Sequence, residues 1–194
     1  QLRLRQVDIW PRFQEEINQD LGQRRADVIE LHQPLTPRMR SIQNAIIQCL
    51  EATLHQVKLS KLVTDLDDSN VEQAMYRAFD VTVRRHLDPG WHRLSPATRQ
   101  LVSGLYTLRQ LLHALLSYDS VSFYEYLETI LASNAPTSEP GAPQRQSQWL
   151  MSDEANLIFH EARARLWQEK QDEEGMSFEL EELPKWKLLA KVLD

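Results

Sequence analysis

The chain has 194 residues, a length that predicts one domain, or one domain with a fragment of another. Hydrophobic residues make up 42% and charged residues 26% of the sequence, so the chain can bury a core of ordinary size. The formal net charge of −6 argues against a protein whose whole surface clamps nucleic-acid phosphates. Six carboxylates lie in the short segment 172–182, so the remainder of the chain is close to neutral.

Cysteine usage and hydropathy indicate the compartment. Cys49 is the single cysteine, which argues against a disulfide framework or a thiolate zinc site and indicates the reducing interior of a cell. No signal peptide is recognisable and no apolar run approaches the length of a membrane span, so we expect no membrane partner. The sequence begins at Gln1 without methionine, from which we expect a piece of a larger protein.

The N-terminal segment predicts a short helix and then a strand. Trp10-Pro11 begins the helix, which we expect to end near Leu21. Residues 26–33 have alternating and β-branched character and are the only good strand candidate. Because a lone strand has nothing to pair with, we expect this piece to lie beside a sheet that the 194 residues do not contain.

The second predicted helix begins at Thr36-Pro37, an N-cap residue followed by proline at the first helical position, and runs to about Lys58. Its main apolar stripe consists of Met39, Ile42, Ile46, Cys49, Leu50, Thr53 and Val57. Ile47 and Leu54 lie to one side of that stripe. They indicate either a helix buried over a wide face, which we favour, or a second apolar strip offered to a partner.

The longest apolar helical pattern follows the turn 88–90. Ser95-Pro96 repeats the cap and proline, and the predicted helix runs to Tyr118. Its apolar half contains Leu101, Val102, Leu105, Leu108, Leu111, Leu112, Leu115 and Leu116. We therefore expect this helix to be the hub against which the others pack. Gly104 lies in the apolar half as either a tolerated defect or a site of close helix approach, and we favour close approach.

Further helices are predicted on both sides of that hub. Asp65 begins a run that resembles a calcium loop, but the run lacks the mid-loop glycine, and Tyr76 stands where glutamate is required. Helical patterns cover 71–86 and 120–133, and Ser122 with Glu125 is a possible capping box for the latter.

The C-terminal third alternates helices with polar connections. Residues 134–148 have the composition of a linker, with prolines and no large apolar side chain. A helix is predicted over 152–170, a solvated acidic connection over 172–182, and a terminal helix from Pro184. Together the elements predict an all-α fold, an irregular multi-helix bundle.

Motifs for chemistry are absent from the sequence. There is no phosphate-binding loop, dinucleotide fingerprint or paired C-x-x-C, and the six histidines show no spacing suited to a metal. Adjacent carboxylates such as Glu15-Glu16 point in different directions and lack an apolar setting that would tune a pKa. We therefore predict no catalytic residues, no metal site and no cofactor.

One cationic cluster has a definite shape. The residues Arg84, Arg85, Trp91, Arg93 and Arg99 flank the turn 88–90. Clustered arginines beside an aromatic ring can bind phosphates and stack a base. The alternative, which we favour on the residues alone, is that the tryptophan anchors the core while the arginines form a solvated rim or bond to helix C-termini.

The ordered set of these segments resembles the XPF family of DNA-repair nucleases. The resemblance rests on FDVTVRRHLDPGWHRLSPATRQLVSGLYTLRQLLHALLSYDSVSFYEYLETI at 79–130, WPRF at 10–13, DVIELHQPLTPRMRSIQNAI at 27–46, WLMSDEANLIFHEARARL at 149–166 and LPKWKLLAKVL at 183–193. It covers nearly the whole chain from Trp10, and its details resemble the fungal members.

The resemblance implies a domain organisation. In that family a helical domain joins two RecA-like helicase lobes with degenerate ATPase motifs, and a nuclease domain and a helix-hairpin-helix pair follow. It therefore implies that residues 1–33 form the edge of the first lobe and that 34–170 form the helical domain, with a flexible linker at 134–148. Residues 171–194 would be an acidic linker and the first helix of the second lobe.

The resemblance also implies a function, that of a linker and docking domain in a structure-specific endonuclease of nucleotide excision repair, crosslink repair and recombination. The implied partners are the rest of the polypeptide, an obligate heterodimer subunit, a repair scaffold of the SLX type and branched or damaged DNA, in the nucleus. The family's E-R-K nuclease signature does not occur here, so no catalytic residue is carried over.

Two surfaces are candidates for those contacts. The predicted protein-binding residues lie on the helix from Pro37 and are Ile42, Ile46, Ile47, Leu50 and Leu54. The alternative is direct contact with branched DNA through the Arg84–Arg99 cluster.

Overall fold

The computed structural model of the chain describes residues 14–23, 27–59, 76, 79, 81, 91, 94–135, 147–172 and 175–194. Over these residues the chain forms six α-helices and one antiparallel hairpin, which confirms the predicted all-α class. The chain divides into two compact units, Gln1–His32 and Gln33–Asp194, and we call the second the helical unit. In the described part, no helix combines the length and the apolar character that crossing a membrane requires.

The first unit contains helix α1, Glu15–Gln23, which has no buried residue. The predicted beginning of this helix at Trp10 lies outside the described residues. The strand predicted over 26–33 is wrong, because residues 27–33 form neither helix nor strand and Val28 and Ile29 are exposed. The physical reason is that β-branched residues favour a strand only where a neighbouring strand can accept their backbone hydrogen bonds.

The helical unit contains the remaining elements. They are α2 (Pro37–Leu59), α3 (Pro96–Ser117), α4 (Ser120–Ser133), a 3-10 turn (Gln148–Met151), α5 (Asp153–Leu166), β1 (Gln168–Asp172), β2 (Gly175–Glu179) and α6 (Pro184–Leu193). The run 65–70, which does not match a calcium loop, lies outside the described residues, and so does most of 71–86.

The predicted caps of α2 and α3 are confirmed. Thr36 Oγ1 accepts a hydrogen bond of 3.1 Å from the Met39 N–H, and Ser95 Oγ accepts one of 3.0 Å from the Thr98 N–H. In both helices proline follows the cap, at the first helical position, where no N–H is needed.

The predicted capping box of α4 is wrong. Its N-cap is Asp119, whose Oδ1 accepts hydrogen bonds of 2.9 Å from the N–H groups of Val121 and Ser122. Because this carboxylate satisfies two first-turn donors and also accepts from the Ser122 hydroxyl, Ser122 becomes a donor to the cap.

The centre of the core is α2, because the two most extensive interfaces between helices are α2 with α5 and α2 with α3. The buried residues of α2 are Met39, Ile42, Ala45, Ile46, Cys49, Leu50, Thr53, Leu54 and Val57. The predicted hub is therefore displaced from α3 to α2. Only part of the apolar half of α3 is buried, and Leu116 remains 48% exposed.

Gly104 of α3 is a site of close approach, as predicted. A methyl group at this position would lie 3.3 Å from Cδ1 of the buried Trp149 and 3.8 Å from Cγ2 of Thr53. The indole from the 3-10 turn thus fills the space that a side chain would occupy, with α2 behind it.

The region after α5 differs from the prediction. Helix α5 ends at Leu166 instead of extending to 170, and β1 then pairs with β2, from Gln168 opposite Glu179 to Asp172 opposite Gly175. The acidic connection predicted for 172–182 is therefore partly a hairpin. Backbone pairing across a tight turn does not require apolar side chains, so the charged composition did not exclude it.

The predicted linker 134–148 lies outside the described residues over 136–146. Its ends are joined, since Asn134 Oδ1 accepts hydrogen bonds of 3.0 Å from the Ser147 N–H and 2.9 Å from the Ser147 hydroxyl. Asn134 and Ser147 therefore lie side by side.

We expect Asp119→Ala to lower the free energy of unfolding by about 1 kcal/mol at pH 7, the usual effect of removing an N-cap side chain. Hydrogen bonds from Ser122 and Val121 hold the pKa of the Asp119 carboxyl below its ordinary value. The contribution is therefore complete above about pH 4, the unfolded pKa of aspartate, and is lost as the pH falls through the folded pKa.

Urea unfolding of both chains at pH 7 and at pH 2–3 measures this difference. Glu125→Ala is the matched control, because truncation of Glu125 would remove a helix cap, and so lower the free energy of unfolding, only if the predicted capping box existed. A larger effect of Glu125→Ala than of Asp119→Ala would contradict the assignment of the cap.

Candidate functional site: a buried network that joins both ends of the helical unit

The predicted protein-binding strip on α2 is mostly inside the core. Ile42, Ile46 and Leu50 are completely buried and Leu54 is 3% exposed, whereas Ile47 is half-buried. The prediction of a docking surface is thus wrong for these four residues, because α3 and α5 cover α2 from two sides. The wide buried face is the correct interpretation for Leu54, and Ile47 alone of the five reaches solvent.

The predicted cationic cluster is described only in part. Arg84, Arg85 and Arg93 lie outside the described residues. Trp91 is 40% exposed. Arg99 donates hydrogen bonds to the Leu94 carbonyl from Nε at 3.1 Å and from a terminal nitrogen at 3.0 Å, so its guanidinium binds the backbone just before α3.

The structure instead brings together three polar residues from distant parts of the sequence. Thr36 directly precedes α2, Arg165 lies in the last turn of α5, and Glu181 lies three residues before α6. Both charged side chains are buried, with Arg165 at 0% and Glu181 at 6% exposure. These three residues are called the buried network below.

Glu181 is the centre of the buried network. Its Oε2 lies 3.5 Å from Nε of Arg165, and its Oε1 accepts a hydrogen bond from the Thr36 hydroxyl. The Glu181 N–H also donates to the Arg165 carbonyl at 2.9 Å. Thr36 thereby has two roles, since the same hydroxyl oxygen that donates to Glu181 accepts the capping hydrogen bond of α2.

The guanidinium of Arg165 is in an environment that disfavours its charge. Burial lowers the pKa of Arg165, and the carboxylate of Glu181 opposes that shift. The guanidinium carbon lies 5.6 Å from the centre of the Phe123 ring, a second favourable contact for a cation. Among the described residues, neither terminal nitrogen of Arg165 has a hydrogen-bond partner, so the stability of this charge depends on Glu181.

A second contact, at the surface, lies beyond the buried network. Lys185 Nζ donates to the Leu116 carbonyl at 2.8 Å and to the Ser117 carbonyl at 3.4 Å. The last turn of α3 has no basic residue of its own, so a lysine from α6 supplies the cation that a helix C-terminus favours. Leu183, between the two contacts, is buried in the core.

The described residues contain no group of three or more histidine, cysteine or acidic side chains that could hold a metal ion. Cys49 is buried and its Sγ lies 3.6 Å from the Ser152 hydroxyl, and burial raises the pKa of its thiol. A protonated, enclosed thiol is a poor nucleophile.

Arg165 and Glu181 were not among the site residues predicted from the sequence. A signal was present, because Arg165 shares one helical face with the buried Ala155, Ile158 and Ala162, where a charged residue requires a partner. Nothing in the sequence indicated which of the six carboxylates of 172–182 that partner is.

The chain is similar to known DNA repair proteins along its full length. It is 42% identical over 198 residues to the DNA repair protein rad16 of Schizosaccharomyces pombe, covering 100% of this chain and 22% of the relative. It is 39% identical over 166 residues to the DNA repair endonuclease UVH1 of Arabidopsis thaliana, covering 86% of this chain and 16% of the relative.

An animal protein is similar over the same range. The chain is 35% identical over 207 residues to the DNA repair endonuclease XPF of Cricetulus griseus, covering 99% of this chain and 22% of the relative. The chain thus spans about a fifth of the length of the curated relatives it matches. No family model matches it.

Proposed function

Because the chain belongs to the XPF family of DNA repair endonucleases, we propose that it is the helical domain that joins and orients the helicase-like lobes of such an enzyme. The buried network is the observation that carries this proposal. It places the residue before α2 beside the residues that lead into α6, a geometry that suits a domain whose two ends lead into neighbouring lobes.

The activity belongs to the whole protein and not to this part of it. We expect the parent chain to form the structure-specific nuclease with an obligate partner subunit, in the nucleus, and to act in nucleotide excision repair, crosslink repair and recombination on branched or damaged DNA. We expect the 194 residues alone to cleave no DNA and to need no cofactor, because they lack the nuclease signature.

We also propose that the helical unit docks a repair scaffold of the SLX type on the outer side of α2. Of the residues predicted for this contact, Ile47 is the one that remains accessible, next to the exposed Gln48. A β-branched apolar residue on the solvent side of a helix whose opposite side is fully packed is a suitable anchor for an apolar partner residue.

We expect Ile47→Asp to weaken binding of a scaffold fragment in a pull-down at least tenfold while the circular dichroism spectrum and the urea midpoint stay close to wild type. Gln48→Asp is the matched control for the added charge, and we expect it to bind normally. Ile46→Asp is the control for burial, because a carboxylate at a completely buried position must unfold the unit. Wild-type binding by folded Ile47→Asp would overturn the docking site.

Direct binding of branched DNA is the second candidate function, and the exposure of Trp91 favours it. A tryptophan ring that is 40% exposed within an arginine-rich segment can stack on an unpaired base. Because Arg99 already binds the Leu94 carbonyl, fewer arginines at this site are available to bind phosphates.

If that surface binds DNA, affinity must fall steeply with salt, and Arg84→Ala with Arg85→Ala must reduce the slope of log K against log salt by about 2. Mobility-shift titrations with a branched duplex between 50 and 200 mM salt measure both slopes. Arg163, an exposed arginine on α5, provides the matched control. We expect Arg163→Ala to leave the slope of log K against log salt unchanged, apart from the non-specific effect of removing one positive charge. Binding that is absent or independent of salt would exclude this function for the chain.

A further inference from the structure

The C-terminal segment, defined here as residues 180–194, buries few of its side chains. Among residues 180–194, only Glu181 and Leu183 are buried. Leu180 and Trp186 are more than half exposed, and Glu182 pairs at 3.8 Å with Lys187 of the same segment. The contact of Lys185 with the end of α3 is at the surface and is therefore weak.

The attachment through Glu181 is of a different kind, because Arg165 and Glu181 are both buried. Thr36 and Glu181 are 145 residues apart in sequence, and their hydrogen bond connects the N-cap of α2 to the chain that precedes α6. Removal of one member of a buried ion pair leaves an uncompensated charge in the interior, which costs far more than the pair itself contributes.

Separation of the ion pair is unfavourable mainly because the buried charge of Arg165 loses its partner. Its side chain has no exposed surface, and its terminal nitrogens have no hydrogen-bond partner among the described residues. If Glu181 leaves, the guanidinium keeps the Phe123 ring and the electrostatic attraction of the Asp119 carboxylate as favourable interactions. Water must then hydrate Arg165, and it enters through the space that Glu181 and its neighbours occupied.

We infer that Thr36, Arg165 and Glu181 form a clasp that fixes the direction of α6 relative to α2, α3 and α5. Loss of either charge releases the C-terminal segment while α2, α3 and α5 remain folded, because the apolar core of those helices does not depend on it. The clasp is a property of the 194-residue chain, so its failure would leave the proposed docking and DNA-binding roles untouched.

Hydrogen exchange followed by mass spectrometry tests the clasp in the 194-residue chain. In Glu181→Gln we expect amides of residues 175–193 to exchange faster by on the order of 100-fold, while amides of 42–54 and 104–115 keep wild-type protection. Glu182→Gln is the matched control, because this adjacent carboxylate is exposed, and we expect no change.

A double variant separates the clasp from simple loss of folding. Arg165→Met with Glu181→Leu removes both charges and leaves no unpaired ion, so protection of 175–193 should recover to within about tenfold of wild type. Equal loss of protection in the C-terminal segment and in α2 and α3 of Glu181→Gln would overturn the clasp, because the pair would then hold the whole fold. Unchanged exchange in Glu181→Gln would overturn it as well.

Discussion

A guanidinium that is removed from water is stable only beside a compensating charge, and Arg165 meets this condition through Glu181. That requirement sets the course of the chain after α5. The chain must turn back from Leu166 through the β1–β2 hairpin so that Glu181 reaches the last turn of α5. There it also meets Thr36, and the N-terminal cap of α2 becomes part of the same buried network.

The position of α2 between α3 and α5 explains the rest of the helical unit. A helix with neighbours on two sides needs an apolar arc wider than one stripe, which is why Leu54 is buried together with Ile42, Ile46 and Leu50. Gly104 permits the Trp149 indole to approach α3 and Thr53 of α2 closely. Ile47 on the outer side of α2 and side chains of α6 such as Trp186 remain accessible.

The sequence predicted the local features well, because caps, proline positions and helical periodicity depend on neighbouring residues. Ser95, Thr36 and Pro184 mark helix starts that the structure confirms. It failed where a distant residue decides the outcome. The central helix is α2 instead of α3, and Glu181 pairs with Arg165 and Thr36 although six carboxylates lie in its segment. The capping box of α4 is a local error, because the neighbouring Asp119 already accepts the first-turn hydrogen bonds.

A chain that serves as the helical part of an XPF-family repair protein needs the buried network to hold α6 in place. The most direct measurement replaces the matching segment of Schizosaccharomyces pombe rad16 with this chain and determines the survival of a rad16-deletion strain after DNA damage. We expect the chimera to restore survival and the Glu181→Gln chimera, at equal protein level, to restore much less. Equal survival with both chimeras, or with rad16 lacking the segment altogether, would contradict the account.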